Sequence, residues 1–248
     1  MEYLAGFLIA CAVGLTGVGA GSITAPILIL FFHLKPAIAV GTALTFAAVI
    51  KLAVLPIYLR RRQVNYRILL LLCAGGIPGV VIGIQILKRM SVEDHEKGIF
   101  LVLGLTIISL SLVNLYRSFR RRLQSANIDR SKWLPPIAAL IGAEVGVSSA
   151  GAGALGAVVL MSLTQLTPAM VVGTDMVFGL TISTIGSGLH LFIGHYDLHT
   201  LEKLCAGGIV GAICGALLSS RLPSRTLQMV LFICLIGLGL QLCIKAMN

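Results

Sequence analysis

The stretch Gly17-Val18-Gly19-Ala20-Gly21-Ser22 interrupts an apolar run that would otherwise form a continuous membrane helix, and Gly151-Ala152-Gly153 repeats it later in the chain. Glycine is unfavourable inside a helix, and backbone groups freed in hydrocarbon persist only where they face protein or a water-filled cavity. A helix broken at that depth exposes N–H groups and the positive end of its dipole, which together favour an anion. The sequence therefore predicts two backbone anion sites inside a membrane protein.

The composition is that of an integral membrane protein. Charged residues are 11% of the 248 residues, whereas soluble domains contain about 25%, and the mean hydropathy is +1.00. A bilayer crossing takes about 20 residues. Stretches of about that length that are sufficiently apolar lie at 3–34, 36–59, 68–87, 98–116, 145–174, 176–196, 204–220 and 226–244. We therefore predict an all-α integral membrane fold with about eight transmembrane segments.

The net charge of +10 is concentrated in two short segments. In a soluble chain such an excess would suggest nucleic-acid binding, but in a membrane protein basic clusters mark cytoplasmic loops. The clustered residues are Arg60, Arg61, Arg62 and Arg67 in the first segment, and Arg117, Arg120, Arg121, Arg122, Arg130 and Lys132 in the second. We predict that both segments are cytoplasmic and contact lipid headgroups, so the expected partner is the lipid bilayer and not a nucleic acid.

The chain repeats itself after 132 residues without a gap. This shift lays Leu72-Cys73-Ala74-Gly75-Gly76-Ile77 on Leu204-Cys205-Ala206-Gly207-Gly208-Ile209, letter for letter. It also aligns the two glycine-rich stretches, and it aligns Val40-Gly41-Thr42 with Val172-Gly173-Thr174. The sequence therefore predicts a tandem duplication of a four-segment unit with a glycine-broken, discontinuous helix in each half. Its parts are a first transmembrane repeat at 1–116, a basic cytoplasmic linker at 117–133 and a second transmembrane repeat at 134–248.

The sequence leaves the relative orientation of the two repeats open. If each repeat crosses the membrane four times, the repeats are parallel. If the first segment of each repeat is a hairpin of two half-helices, the number of crossings is odd and the repeats are inverted. The loop Gly194-His195-Tyr196-Asp197-Leu198-His199 lacks the basic excess that would decide between the two arrangements.

Charged residues within apolar segments are rare and mark ion paths. We predict that Lys51 is an anion ligand or an ion-pair partner. The alternative is that its side chain extends along the helix and places the amine at the membrane interface. We assign Asp175 and Glu144 to proton coupling; an ion pair with Lys51 is the structural alternative for Asp175, and an interfacial position is the alternative for Glu144. The predicted substrate-binding residues are Gly17, Gly19, Gly21, Ser22, Thr42, Lys51, Ser149, Gly151, Gly153 and Thr174.

Other residues have a plain structural interpretation. The glycines that recur every four residues at Gly75, Gly79 and Gly83 are typical of close helix packing, and we interpret them in this way. The two threonines among the predicted site residues could simply bond the backbone of their own helix. His190 could shuttle protons, but a histidine that is hydrogen-bonded within the core is the more common arrangement.

The sequence lacks the motifs of common membrane enzymes. It contains no Walker A, HExxH or GxSxG motif and no pair of intramembrane aspartates. Its six cysteines include no CxxC pair and lie in apolar segments, so we interpret them as buried small hydrophobic residues. We therefore predict a protein that is not an enzyme and has no cofactor or metal. An enzyme that handles sulfur through Cys73 and Cys205 is the rival hypothesis, but nothing nearby in the sequence indicates an activated thiol.

Four motifs follow one another in the first half, and their order is repeated in the second half. They are the glycine-rich break, the helix start at Pro36-Ala37 with Val40-Gly41-Thr42, Gln63-Val64-Asn65-Tyr66 after the arginines, and Ala74-Gly75-Gly76-Ile77-Pro78-Gly79. This order resembles the TauE/SafE family of sulfite exporters over about residues 6–242.

The resemblance implies a secondary transporter in the cytoplasmic (inner) membrane, an exporter of small sulfur-containing anions such as sulfite or organosulfonates. We expect transport to be coupled to protons, with a small anion as the substrate. The alternative is an anion channel or a transporter of a different small anion. Assembly as a homodimer stays open.

Overall fold

The computed structural model describes residues 2–16, 19–60, 63–92, 96–119, 130–150, 155–218 and 224–247. Within these ranges the chain is helical and contains no strand. The α-helices are α1 (Glu2–Thr16), α2 (Ala20–Leu30), α3 (Pro36–Arg60), α4 (Tyr66–Val92), α5 (Glu96–Phe119), α6 (Leu134–Ser148), α7 (Leu155–Leu163), α8 (Pro168–Ile193), α9 (Leu198–Leu218) and α10 (Ser224–Met247). The prediction of an all-helical fold is confirmed.

Six of the described helices are long and apolar enough to cross a membrane, which confirms a multi-pass membrane protein. Their spans are Pro36–Pro56, Tyr66–Met90, Lys97–Tyr116, Ala169–Ile193, Leu198–Leu218 and Met229–Met247. The helices α1 and α2 are apolar but shorter, so the count of about eight transmembrane segments stays a prediction.

Local sequence explains where the long helices begin and end. The helix α8 begins at Pro168, whose fixed φ suits a first helical turn, and the Thr167 hydroxyl accepts a hydrogen bond from the Met170 N–H. It ends at Ile193, and the next residue, Gly194, adopts the left-handed conformation (φ 80°) that side chains disfavour. Asn65 caps α4, because its side-chain oxygen accepts a backbone N–H of the first turn at 3.1 Å.

Two parallel helix pairs are packed closely through glycines. In α4 the glycines that recur every fourth residue lie against backbone carbonyls of α6, so that an added Cβ would overlap the carbonyl oxygen. In α9 the glycines aligned with them lie against α1 in the same way. The contacts are Gly75 with Pro135, Gly79 with Ala139, Gly83 with Ala143, Gly207 with Tyr3, Gly211 with Phe7 and Gly215 with Cys11. The packing interpretation of these glycines is therefore confirmed, and both pairs are parallel because the two residue numbers rise together.

Helices that the 132-residue shift aligns with each other run antiparallel. Between α3 and α8, Gly41 packs on His190, and the hydroxyl oxygens of Thr45 and Ser187 lie 2.8 Å apart, so one residue number falls as the other rises. The contacts between α5 and α10 follow the same rule: Gly104 with Gly239 and Cys243, and Phe100 with Lys245. These helices from the first and second halves of the chain therefore point in opposite directions.

The chain reverses direction between α1 and α2. The helix α3 runs parallel to α9, because Thr42 contacts Asp197 at their beginnings and Phe46 contacts Gly208 further along. Because α1 is parallel to α9, it is also parallel to α3. The helix α2 packs on α3 across the short connection 31–35 and runs antiparallel to it. The helices α1 and α2 therefore form a hairpin.

The chain also reverses direction between α6 and α7. The helix α6 is parallel to α4, and the contacts of α4 with α8 make those two parallel as well. The helix α7 is antiparallel to α8, because Gly156 near its start contacts Asp175 across a short connection. The helices α6 and α7 therefore form a second hairpin, and Ser149 at the end of α6 has the positive φ of 57° that a sharp turn requires.

This arrangement places Arg60, Arg67 and Arg130, from the two basic clusters, at one end of the molecule. Arg60 ends α3, Arg67 lies in the first turn of α4, and Arg130 precedes α6, whose first residues pack beside the first half of α4. We call this end the arginine end. The other end contains Lys88, near the end of α4, and His195, in the connection between α8 and α9, and we call it the histidine end.

Candidate functional site

The two glycine-rich breaks meet inside the molecule. The Ser149 hydroxyl donates a hydrogen bond to the Gly21 carbonyl at 3.0 Å, and a Cβ added to Gly21 would overlap the Ser149 carbonyl oxygen. Both residues are buried. The structure thus brings together two residues that lie in different halves of the sequence and were both predicted to bind substrate. The predicted site residues Gly17, Gly151 and Gly153 lie outside the described residues.

The start of α2 has backbone N–H groups without a side-chain cap. Its N-cap residue is Gly19, and no side chain caps the helix there. The hydroxyl of Ser22, which the sequence predicted to be a substrate donor or a cap, donates to the Gly19 carbonyl at 2.6 Å. The first turn of α2 therefore keeps the positive end of the helix dipole, which favours an anion.

Lys51 lies near the point where α3 and α8 cross. The antiparallel contacts of these helices include Gly41 with His190 and Thr45 with Ser187, and Lys51 interacts electrostatically with Asp175 of α8. The Lys51 side chain is 6% exposed, and its ammonium nitrogen has no hydrogen-bond partner among the described residues. This burial does not fit a lysine that snorkels to the interface. A buried ammonium group without hydrogen bonds is costly, so this position is suited to an anionic ligand.

Ser183 occupies the position that the 132-residue shift aligns with Lys51. Its side chain is 1% exposed, and its hydroxyl has no hydrogen-bond partner in the part of the chain that the structure describes. Both residues thus lie beside the crossing of α3 and α8, where one carries a positive charge and the other a hydroxyl donor. Ser183 is absent from the residues predicted above, although its alignment with Lys51 points to it.

Asp175 is buried against the start of α7. Its carboxylate oxygen Oδ1 lies against Gly156 in the first turn of that helix, where the dipole favours a negative charge. The carboxylate also interacts electrostatically with Lys51. The chain's own carboxylate therefore occupies a place that a bound anion would favour. The aligned residue in the first half is Ala43, so α2 has no such carboxylate.

Glu144 lies in the last turn of α6, beside the second break. Its Oε1 atom accepts a hydrogen bond from the Ser148 hydroxyl at 2.6 Å. Its Oε2 atom is enclosed and has no hydrogen-bond partner within the described ranges. The Ser148 oxygen in turn accepts the Ala150 N–H at 3.1 Å. The carboxylate is therefore connected by hydrogen bonds to the turn between α6 and α7.

Thr42 and Thr174 connect the two halves of the chain. The Thr42 hydroxyl oxygen accepts the Asp197 N–H at 3.1 Å, and the Thr174 hydroxyl oxygen accepts the Asn65 N–H at 3.0 Å. Asp197 and Asn65 directly precede α9 and α4, so each hydroxyl satisfies an amide at a helix start. The structure shows this packing role, and a role of the two threonines in substrate binding stays a prediction.

Valine substitutions distinguish these two roles. Thr42→Val and Thr174→Val keep the side-chain shape but leave a buried N–H without its acceptor. We expect each variant to lose about 1–3 kcal/mol of stability, seen as a fall of about 5 °C in the unfolding temperature. If a variant also shows a higher KM for transport, in addition to the lower unfolding temperature, the substituted threonine takes part in substrate binding. Thr106→Val is the control, because the Thr106 hydroxyl donates within its own helix.

The cysteine and histidine residues within the described ranges form no evident metal site. The six cysteines are free thiols. In the described ranges no group of three or more His, Cys, Asp or Glu side chains could hold a metal ion.

The six spanning helices and the buried charges define a multi-pass helical membrane protein with a polar interior site. The chain belongs to the TauE/SafE family, because the family described as "Sulfite exporter TauE/SafE" matches residues 3–242. This confirms the resemblance seen in the sequence motifs.

Two curated relatives are similar over nearly their whole length. The chain is 30% identical to "Probable membrane transporter protein YjnA" of Bacillus subtilis (strain 168), over 96% of this chain and 97% of that protein. It is 28% identical to "Probable membrane transporter protein YunE" of the same organism, over 95% of this chain and 94% of that protein. No solved structure matches the chain significantly.

Proposed function

We propose that this protein is a secondary transporter that exports small sulfur-containing anions, such as sulfite or organosulfonates, with coupling to protons. One observation carries the proposal: the Lys51 ammonium group is buried near the Asp175 carboxylate, with no hydrogen-bond partner among the described residues. Charges inside a membrane are costly and mark ion paths. The family match and the two transporter relatives support the class, and the choice of a sulfur anion rests on the family.

The proposed anion site lies between the two breaks and the crossing of α3 and α8. The start of α2 supplies backbone amides, Lys51 supplies the positive charge, and the Ser183 hydroxyl supplies a further donor. The residues proposed to bind substrate are Gly17, Gly19, Gly21, Ser22, Thr42, Lys51, Ser149, Gly151, Gly153 and Thr174, with Ser183 added.

Asp175 provides a mechanism for the proposed coupling. When its carboxylate is ionised, it occupies the start of α7 and interacts with Lys51. It therefore competes with a substrate anion for the same positive groups. Protonation removes this competition, so that binding of a proton and binding of an anion assist each other. The proton and the anion are then carried in the same direction, and export is driven by the outward concentration gradient of the anion. Glu144, which is bonded to the second break through Ser148, is the second acid proposed for the proton path.

We also propose that the two halves are inverted repeats, each made of a hairpin and three spanning helices. If each hairpin is counted as one segment, each half contains four segments, which agrees with the prediction of about eight segments in total. The antiparallel contacts of α3 with α8 and of α5 with α10 support this arrangement, as do the matching contacts of α4 with α6 and of α9 with α1. We propose that the arginine end faces the cytoplasm, which the positive-inside rule supports, and that the protein lies in the inner membrane.

Flux into proteoliposomes tests the class of protein and the role of Asp175 together. We expect wild type to move sulfite or a sulfonate toward the alkaline side of a pH gradient, measured beside thiosulfate and sulfate. Asp175→Asn mimics the protonated carboxyl, so we expect it to keep downhill anion flux but to lose the dependence on the gradient. Asp197→Asn is the matched control, because asparagine already stands at the aligned position 65.

Each result bears on a different part of the proposal. A wild type that moves none of the four anions removes the substrate assignment. Anion currents that are indifferent to the proton gradient indicate a channel. Gradient-driven accumulation that survives in Asp175→Asn removes this residue from the coupling but keeps the transporter.

A further inference from the structure

His190 is a buried histidine. Its side chain is 0% exposed; no described side chain bonds either ring nitrogen, and the Gly146 backbone of α6 is a polar group beside the ring. The interpretation as a hydrogen-bonded core histidine therefore stays a prediction. An imidazole has two ring nitrogens that need partners, and a nitrogen enclosed without one costs free energy. One backbone group serves only one of the two nitrogens, so packing alone gives an incomplete reason for a histidine at this position.

Polar side chains lead from His190 to the crossing of α3 and α8. Ser187 and Ser183 precede His190 at intervals of three and four residues, which places them on one face of α8. The Ser187 hydroxyl oxygen lies 2.8 Å from that of Thr45 on α3, and all three residues of α8 are buried. Ser183 is the residue aligned with Lys51. We call the set His190, Ser187, Thr45 and Ser183 the polar track.

The polar track is present on one side of the crossing only. The 132-residue shift aligns Ser187 and Thr45 of the polar track with two apolar residues, and these apolar residues lie toward the arginine end. The aligned pairs are Ser187 with Leu55 and Thr45 with Val177. On that side the buried titratable residue is Asp175, next to the contact of Thr174 with the start of α4. His190 and Asp175 therefore flank Lys51 from opposite ends of the molecule.

Several of the elements packed around His190 carry titratable groups. From the connection after α8, the His195 ring centre lies 5.7 Å from that of His190. Burial and the Lys88 ammonium group of α4 lower the pKa of His195 below its usual range. From α6, the Gly146 backbone lies beside the His190 ring, and α3 contributes a glycine there. The titratable or charged groups of these elements on this side are His195, Lys88, Glu144 and Asp197. His195, which is half-buried, connects His190 to the histidine end.

We propose that His190 relays protons between the histidine end and the Lys51–Asp175 centre along the polar track. The proposal rests on the proton-coupled transport proposed above and adds a second titratable group to it. His190 takes up a proton on one ring nitrogen and releases one from the other, so its charge is restored after each transfer. Within the track only the hydroxyls of Thr45 and Ser187 lie within hydrogen-bond distance of each other, so water molecules complete the proton path, and Asp175 is the proton donor or acceptor at the far end.

His190→Gln tests the relay, because glutamine is polar and of similar size but does not titrate. We expect net anion flux driven by a pH gradient to fall about 100-fold. Exchange of labelled for unlabelled anion at equal pH needs no net proton transfer, and we expect it to stay near the wild-type rate. His199→Gln is the matched control, since His199 is exposed and contacts Lys203 at the same end. If His190→Gln does not fold, Ser187→Ala carries the test with the same two measurements.

The two measurements separate the relay from the transporter itself. Loss of gradient-driven flux with exchange preserved supports the relay. Equal loss of gradient-driven flux and of exchange would show that His190 only shapes the site. Unchanged gradient-driven flux would show that protons take another route. Either result overturns the relay and leaves the proposed transporter standing. The same loss in His199→Gln also overturns it. A wild type that moves none of the four sulfur anions overturns the proposed function and the relay with it.

Discussion

Replacing Lys51 with methionine is expected to abolish anion transport. Methionine keeps a long flexible side chain in the core and removes the ammonium group that has no hydrogen-bond partner among the described residues. We expect the affinity for the transported anion to fall about 100-fold, equivalent to about 3 kcal/mol, because a charge-assisted hydrogen bond is lost. Binding of sulfite to the purified protein and the KM of its flux into proteoliposomes measure this loss.

The same variant separates binding from folding. In Lys51→Met the Asp175 carboxylate is buried without its counter-charge, which costs about 3–5 kcal/mol when the group stays ionised. The double variant with Asp175→Asn is expected to recover the unfolding temperature but not transport. Recovered transport would show that Lys51 serves only to balance Asp175. Lys203→Met is the control, because Lys203 pairs with Glu2 at 2.7 Å on the surface, and such a pair contributes at most about 1 kcal/mol.

Gly79→Val and Gly211→Val are expected to be strongly destabilising. Valine at either position would overlap the backbone carbonyl of Ala139 or of Phe7. A backbone carbonyl inside a helix cannot rotate away, so the paired helices would have to separate. We expect each variant to lose about 3 kcal/mol or more. Thermal unfolding in detergent should show this as a fall of about 10 °C.

Two other helix glycines provide matched controls for these substitutions. At Gly188 in α8 and Gly237 in α10, an added Cβ meets no atom within 4 Å. Gly188→Val and Gly237→Val therefore change only the intrinsic helix propensity, by less than about 1 kcal/mol. An equal loss of stability in all four variants would show that close helix approach is not the reason for glycine at positions 79 and 211.

The class of the fold could be predicted from the sequence alone, and several residues of the proposed site were recognisable in it. Apolar length and the four-residue spacing of Gly75, Gly79 and Gly83 are properties of neighbouring residues, so they can be read before the tertiary contacts are known. Lys51 and Asp175 were recognisable because charges are rare inside apolar segments. The 132-residue shift also identified which helices correspond to each other, although not how they are directed.

Only the tertiary structure decided the directions of the helices and the partners of their polar groups. The contact of Thr45 with Ser187 that makes α3 and α8 antiparallel joins residues 142 positions apart. Only such distant contacts show that the Thr42 hydroxyl bonds an amide of the other half and that His190 packs against Gly41 of the first half. Periodicity along the chain reports which face of a helix is buried, but it carries no information about which distant residue lies opposite.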